Sequence, residues 1–298
     1  MLIGAHVGAS GGLNSSLRRG AEIGAEVIQI FTQSPRTWSV VHHTQAEFEA
    51  YRHAQLDFPS VKMTFCHASY LINLCSNDSS ILSSSRNVLT ANLAVATQLR
   101  SSGVVLHVGS HKGRGLDSCF TQVLAEIKRS LESASIAAEE EAVPLLLENT
   151  AGAGGTIGRS LEELATILDG LDGPGQVGLR HKLGICLDTQ HLWASGVSYD
   201  TPEAVERLVD RVEELIGLER LGCIHLNDSK TALGSERDRH ENLGKGMIGE
   251  HSLALFLGYP KLQSVPVILE VPGGGSGPDR DQIGVARHLH ELGCSMWR

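Results

Sequence analysis

No run of about 18 apolar residues occurs in the 298-residue chain, which argues against a membrane-spanning helix. The opening MLIGAHVGASGG has neither the basic nor the long apolar stretch of a secretory signal, and the closing SMWR matches no lipidation or retention signal. A cytoplasmic location is therefore expected. No two cysteines are spaced CxxC, and the six at 66, 75, 119, 186, 223 and 294 frame no short, loop-rich scaffold. All six are expected to be reduced structural thiols, those at 66, 186 and 223 lying inside apolar runs as small hydrophobes. Positive charge is also in deficit: 25 Lys and Arg against 34 Asp and Glu leave a formal charge of −9. That balance argues against bulk affinity for nucleic acid. It leaves a local site open, because carboxylates that ligate divalent cations are neutralised there. No linker or low-complexity segment divides the chain, GGGSG at 273–277 being only loop-sized, so one domain over 1–298 is expected.

What is present is a recurring short apolar run. LIGAH (2–6), VIQIFT (27–32), KMTFCH (62–67), VVLHV (104–108), PLLLEN (144–149), KLGICLD (182–188), LGCIHLN (221–227) and VPVILEV (265–271) show little polar alternation. Such runs suit strands buried on both faces of a parallel sheet. Helical patterns lie between them, in LNSSLRRGAEIGA, SRNVLTANLAVATQL, FTQVLAEIKRSL and DQIGVARHLHEL. Ser160 with Glu163 reads as a capping box, and Thr201 with Pro202 as an N-cap followed by proline at the first helical position. Eight strands alternating with helices predict a single (β/α)8 TIM barrel, with a doubly wound open sheet as the rival.

The ends of these runs carry the chemistry. The third to eighth strands end in His67, His107, Glu148, Asp188, His225 and Glu270, with His191 one turn beyond Asp188. The C-terminal ends of barrel strands converge on one face, where active sites form. One His or Glu at a strand end is an ordinary hydrogen-bonded rim residue. Six in one mouth would repel and desolvate one another at a cost of several kcal/mol unless cations compensate. SERDRHENLGKG after the seventh strand adds Asp238 and His240, two apart and so on one side of an extended loop. Imidazole and carboxylate without thiolate suit zinc, with manganese or iron also compatible. Nine donors exceed the needs of one catalytic zinc, so two or three metals are implied, an arrangement suited to phosphoester hydrolysis.

HASYLINL (67–74), GICLDTQH (184–191) and HLNDSK…GSERDRH (225–240) resemble the three signature blocks of endonuclease IV, the type-2 apurinic/apyrimidinic endonucleases. The resemblance runs from GAHVGASGGL to VILE at 267–270. It implies a monomeric TIM barrel with three zinc ions that cleaves double-stranded DNA 5′ to abasic sites in base excision repair. It further implies a first metal on His67, His107 and Glu148, and a second on Glu148, Asp188, His225 and Glu270. His191, Asp238 and His240 would hold the third. Glu148 or Glu270 is implied to take up the water proton. FTQSPRTW (31–38) resembles the lesion-reading loop, which implies DNA contacts from Gln33 and Arg36, joined by Tyr70 and Leu71. The chain departs from the family pattern at Ala68, Val108 and Gln190, where Asp, Pro and Cys are usual, and its GVSYD (196–200) is longer than GYD. None of these removes a ligand.

His6 and His111 are expected near the rim, either supporting the ligands from outside or simply packing. The remaining histidines (42, 43, 53, 181, 251, 288 and 290) read as surface residues. A metal-dependent sugar isomerase or epimerase is the alternative enzyme, because that class shares the barrel and its strand-end ligands, but Asp238 and His240 would then have no task. A non-catalytic DNA-damage binder would need no metal cluster at all.

Overall fold

Each of the eight apolar runs forms a strand: β1 Ile3–His6, β2 Val27–Phe31, β3 Met63–His67, β4 Gly103–Leu106, β5 Leu145–Glu148, β6 Leu183–Asp188, β7 Leu221–Leu226 and β8 Val267–Leu269. In this computed structural model, which describes residues 1–173 and 179–298, every neighbouring pair is parallel and β8 pairs with β1. The sheet is therefore a closed barrel, and the open-sheet rival is excluded.

Alternation along each strand explains both the apolar runs and the site. Outward residues such as Ile28, Cys66, Leu106, Leu147, Ile185 and Leu226 join the main core beneath the helices. Val27, Phe65, Val105, Leu146, Cys186, Cys223 and Ile268 form a separate apolar cluster. These seven share one strand face and fill the barrel interior, as the two-residue side-chain period requires. Two residues further along each strand, on the same inward face, stand Gln29, His67, His107, Glu148, Asp188, His225 and Glu270. The interior is thus an apolar layer capped by a polar one.

The helices are α1 Ser15–Ile23, α2 Gln45–Asp57, α3 Ser79–Gln98, α4 Phe120–Ala138, α5 Leu161–Leu171, α6 Thr189–Ser195, α7 Pro202–Leu215, α8 Gly249–Gly258 and α9 Arg280–Met296. The periodicity reading did not single out α2 or α8. The first starts at a full capping box, Thr44 with Glu47. The second is buried over Ser252–Gly258 and packs on α9, so it lacks the polar face that marks an amphipathic helix. Thr201 caps α7 at the nitrogen of Ala204, as read from the sequence. At α5 only half of the expected box forms. Ser160 accepts from the Glu163 amide, whereas the Glu163 carboxylate accepts from Gly158 and Arg159 and so holds the preceding loop.

The expectation of six free thiols is corrected. Cys75 and Cys119 are joined by a disulfide across 44 residues, and Cys66, Cys186, Cys223 and Cys294 are free. The two loops that follow β3 and β4 fold against each other. Asn73 bonds both the amide and the carbonyl of Ser110, and Arg114 donates to the carbonyl of Cys75. No sequence spacing announces that contact. Among the histidines read as surface groups, His43 and His290 are also exceptions: both are half-buried, His43 with Nε2 3.1 Å from the carbonyl of Thr32 and His290 with Nε2 2.6 Å from Gln263 Oε1.

Candidate metal centre

Glu148 is the hub of the upper layer. It is fully buried, with Oε2 3.2 Å from His67 Nε2 and 3.1 Å from His107 Nε2. Its Oε1 lies 3.0 Å from His225 Nδ1 and 3.3 Å from His191 Nδ1. Three sets of donor atoms converge within 4.8 Å: His67, His107 and Glu148; Glu148, Asp188, His225 and Glu270; and Asp188, His191 and His240. Asp238 completes the third, its carboxylate 3.3 Å from His191 Nε2 and 3.2 Å from His240 Nε2.

Local structure holds these donors in place. Asp188 ends β6 and is the N-cap of α6, its Oδ1 accepting from the His191 amide at 2.8 Å. One carboxylate thus starts the helix turn that delivers the imidazole, and its other oxygen, Oδ2, receives Asn227 Nδ2 at 2.6 Å. Asn149 accepts from the Asp188 amide at 2.7 Å, and Asn227 accepts from the Glu270 amide at 3.1 Å. The arm bearing Asp238 precedes the second strand of a small antiparallel pairing of Asp228–Ser229 with His240–Glu241. Gln190 donates to the carbonyl of Arg237 at 2.9 Å and ties this arm to α6. Tyr199 anchors the longer loop after α6 through its hydroxyl, which donates to the carbonyl of Thr189.

A carbonyl oxygen can only accept, so each imidazole nitrogen facing one must carry the proton. His67 Nδ1 donates to the carbonyl of Ala68 at 2.7 Å, His191 Nδ1 to that of Asn149 at 2.9 Å, and His240 Nδ1 to that of Glu270 at 3.4 Å. Each bond leaves the Nε2 lone pair directed into the cluster. His240 Nε2 is buried without a hydrogen bond, since Asp238 is close but poorly aligned. An orphaned nitrogen among carboxylates fits a cation between them.

The electrostatics agree. Burial alone would raise the Glu148 carboxyl, but the charges of His107 and His225 and hydrogen bonds from His191 and His225 hold it well below the usual range. Burial likewise opposes charge on His225, yet Glu270 and Glu148 raise its pKa strongly. Asp188 and Asp238 do the same for His191, and they push His240 up to about 9. Without cations His191, His225 and His240 are therefore favoured in their protonated forms beside the carboxylates, and a metal bound there would displace those protons. Cys186, Cys223 and His225 also converge, but burial pushes the Cys186 thiol far up, as for a small hydrophobe in the apolar layer.

Around this centre, Tyr70 is half exposed and packs edge-on against Phe31 and His67 at 5.2 and 5.3 Å. With Leu71, Asn73, His107, Thr156 and Asp238 it lines a cleft of about 580 Å³. Arg36 and Gln33 lie on the loop after β2; Arg36 is exposed and, among the described residues, has no ion-pair partner within 4.0 Å, whereas Gln33 Nε2 is buried without a bond. His6 Nδ1 sits 3.0 Å from Gln29 and 3.6 Å from Glu270, at the same level of the barrel as Gln29. His111 instead accepts from the Gly115 amide and belongs to the loop after β4. Reading only the ends of the runs overlooked Gln29, Asn149 and Asn227. The signal for Gln29 was a single polar residue inside VIQIFT, two residues past an inward valine.

Comparison with known proteins agrees with the barrel fold. The family described as xylose isomerase-like TIM barrel matches residues 17–291. A probable endonuclease 4 of Thermotoga maritima is 36% identical, covering 99% of both chains. The crystal structure of endonuclease IV from Thermus thermophilus superposes with a TM-score of 0.81 at 33% identity, covering 98% of this chain and 99% of that one. A D-tagatose 3-epimerase-like protein superposes at 0.70 with 17% identity over 100% of each chain, a likeness of fold alone. A barrel with its donors on the strand ends, and full-length identity above a third to a named relative, place this chain in the endonuclease IV family.

Proposed function

We propose that this protein, as one barrel domain over 1–298, is a metal-dependent endonuclease of base excision repair. It hydrolyses the phosphodiester 5′ to an abasic site in double-stranded DNA and leaves a 3′-hydroxyl and a 5′-deoxyribose phosphate. Trimming of blocked 3′ ends, a cytoplasmic location and a monomeric state belong to the same proposal. The observation that carries it is the convergence of nine imidazole and carboxylate donors in three overlapping sets around Glu148.

Three divalent cations, zinc by the chemistry of the donors, would supply charge neutralisation at the phosphate and an acidified water when bound. His67, His107 and Glu148 would hold one. Glu148, Asp188, His225 and Glu270 would hold the second, and His191, Asp238 and His240 the third. Glu148 is fully buried between four imidazoles, whereas the Glu270 side chain keeps 12% exposure. Proton uptake from the attacking water is therefore assigned to Glu270, the more accessible carboxylate. Four carboxylates facing three divalent ions would leave the mouth net positive, which would reconcile DNA binding with the overall −9.

Selectivity would come from shape. An abasic nucleotide leaves the helix cheaply because no base pair holds it. The cleft beside Tyr70 and Leu71 can receive it, while exposed Arg36 enters the gap and the loop at Gln33 faces the backbone. The epimerase reading leaves Asp238 and His240 without a role. The test is duplex DNA carrying one tetrahydrofuran site, incubated with and without chelator. A single 5′ nick that chelator abolishes is expected; no nick with the metal-replete protein overturns the proposal.

A further inference from the structure

Three histidines of the cluster are oriented by backbone carbonyls, but His225 is not. Its Nε2 faces Gln29 Oε1 at 2.9 Å, and its Nδ1 points at Glu148 Oε1. It also presents the opposite nitrogen from His67 and His240. The Gln29 amide has only one workable orientation. Its Nε2 lies 2.6 Å from Glu270 Oε1 and 3.0 Å from His6 Nδ1, and an ionised carboxylate only accepts. The amide nitrogen must therefore face Glu270, which turns the amide oxygen to His225 and obliges Nε2 to carry the hydrogen. Gln29 is fully buried on β2, across the barrel from β7, so no water replaces it.

Resting on the metal-centre reading above, we propose that Gln29 is a positioning residue for the second metal. It fixes His225 with Nδ1 bare and directed at the ion, and it holds Glu270, another ligand of that ion, through the same amide. One side chain thus orients two of the four donors, and neither the first nor the third metal depends on it. Partners of this kind change metal affinity by about 10–100-fold when removed.

The experiment compares the parent with Gln29→Met, which keeps volume and loses the bonds to His225, Glu270 and His6, and with Gln29→Glu, which keeps the acceptor toward His225 and loses the donor toward Glu270. Metal content is measured after equilibration against zinc buffers of graded free concentration, with thermal unfolding of the metal-free proteins as the control for folding. Histidine-selective 15N spectra of the zinc-loaded proteins report which nitrogen of His225 is protonated, with His225→Gln identifying its signals. The expected result is that Gln29→Met requires about 10–100-fold more free zinc to fill one of three ions, with the other two unchanged. His225 should show Nε2–H in the parent and in Gln29→Glu but lose that single form in Gln29→Met. For the abasic duplex kcat should fall while KM stays within about twofold, because Gln29 acts through the second ion rather than on the DNA. Equal zinc affinity and an unchanged His225 tautomer in Gln29→Met overturn the assignment while leaving the metal centre intact. A parent protein that retains no zinc overturns the metal-centre reading and this inference with it.

Discussion

Replacing Glu148 by Gln is the sharpest probe of the centre, because one carboxylate serves two donor sets and four imidazoles. The substitution keeps volume and removes one buried charge whose oxygens lie 3.0–3.3 Å from His225, His107, His67 and His191. Removing one partner of a buried ion pair costs about 3–5 kcal/mol. With an unfolding entropy of about 2.1 cal/mol/K per residue, a loss of about 4 kcal/mol lowers Tm by roughly 6 °C for a chain of this length. That shift belongs to the metal-free protein, measured calorimetrically in chelator at pH 6, where His191 and His225, both raised well above the ordinary 6.5, face Glu148 as cations. In the metal-loaded state Glu148→Gln should lose about two of three ions, since Glu148 contributes to two sets. Glu270→Gln should lose about one, since Glu270 contributes to one, and should abolish incision without unfolding the barrel. Metal analysis after dialysis reads both. Equal metal loss in the two variants, or a Tm change below about 1 °C for Glu148→Gln, would refute the hub geometry.

Arg36→Ala should retain the parental metal content, because Arg36 lies on the exposed loop after β2 and outside the donor sets, while its affinity for abasic over undamaged duplex falls; unchanged discrimination removes Arg36 from the site. The metal-free protein should have a window of greatest stability set by the cluster. The depressed Glu148 carboxyl contributes above the ordinary 4.5 and is lost as pH falls through its folded value. Raised His225, His191 and His240 contribute fully below the ordinary 6.5, and that contribution is lost as pH rises through the folded values, about 9 for His240. Zinc must displace those protons, so calorimetry in buffers of different ionisation heat should show proton release on binding and tighter binding from pH 6 to 9; binding independent of pH would contradict it. Reducing the Cys75–Cys119 disulfide, which closes 44 residues, should lower stability by up to about 4 kcal/mol, read as a Tm shift between the oxidised protein and Cys75→Ser; equal Tm values would show that the loops hold without it.

The sequence alone determined the barrel and the strand-end positions of most candidate donors, because both follow from local periodicity. Buried parallel strands need apolar side chains on both faces, so eight runs stand out, and a polar residue closing a run marks where the strand meets the catalytic face. His67, Glu148, Asp188 and His225 end the observed strands or lie one residue short of the end, and His107 and Glu270 follow directly after theirs. The N-cap at Asp188 was half visible in the same way, as a carboxylate three residues before an imidazole. Contacts between segments remote in the chain were beyond that reading. Gln29 meets Glu270 across 241 residues and His225 across 196, and nothing local distinguishes it from a polar residue tolerated within a strand. Cys75 meets Cys119 only because two loops meet, and Ser252–Gly258 of α8 are buried where α9 packs on them. Periodicity reports which way a side chain points, and closure of the barrel decides what it meets there.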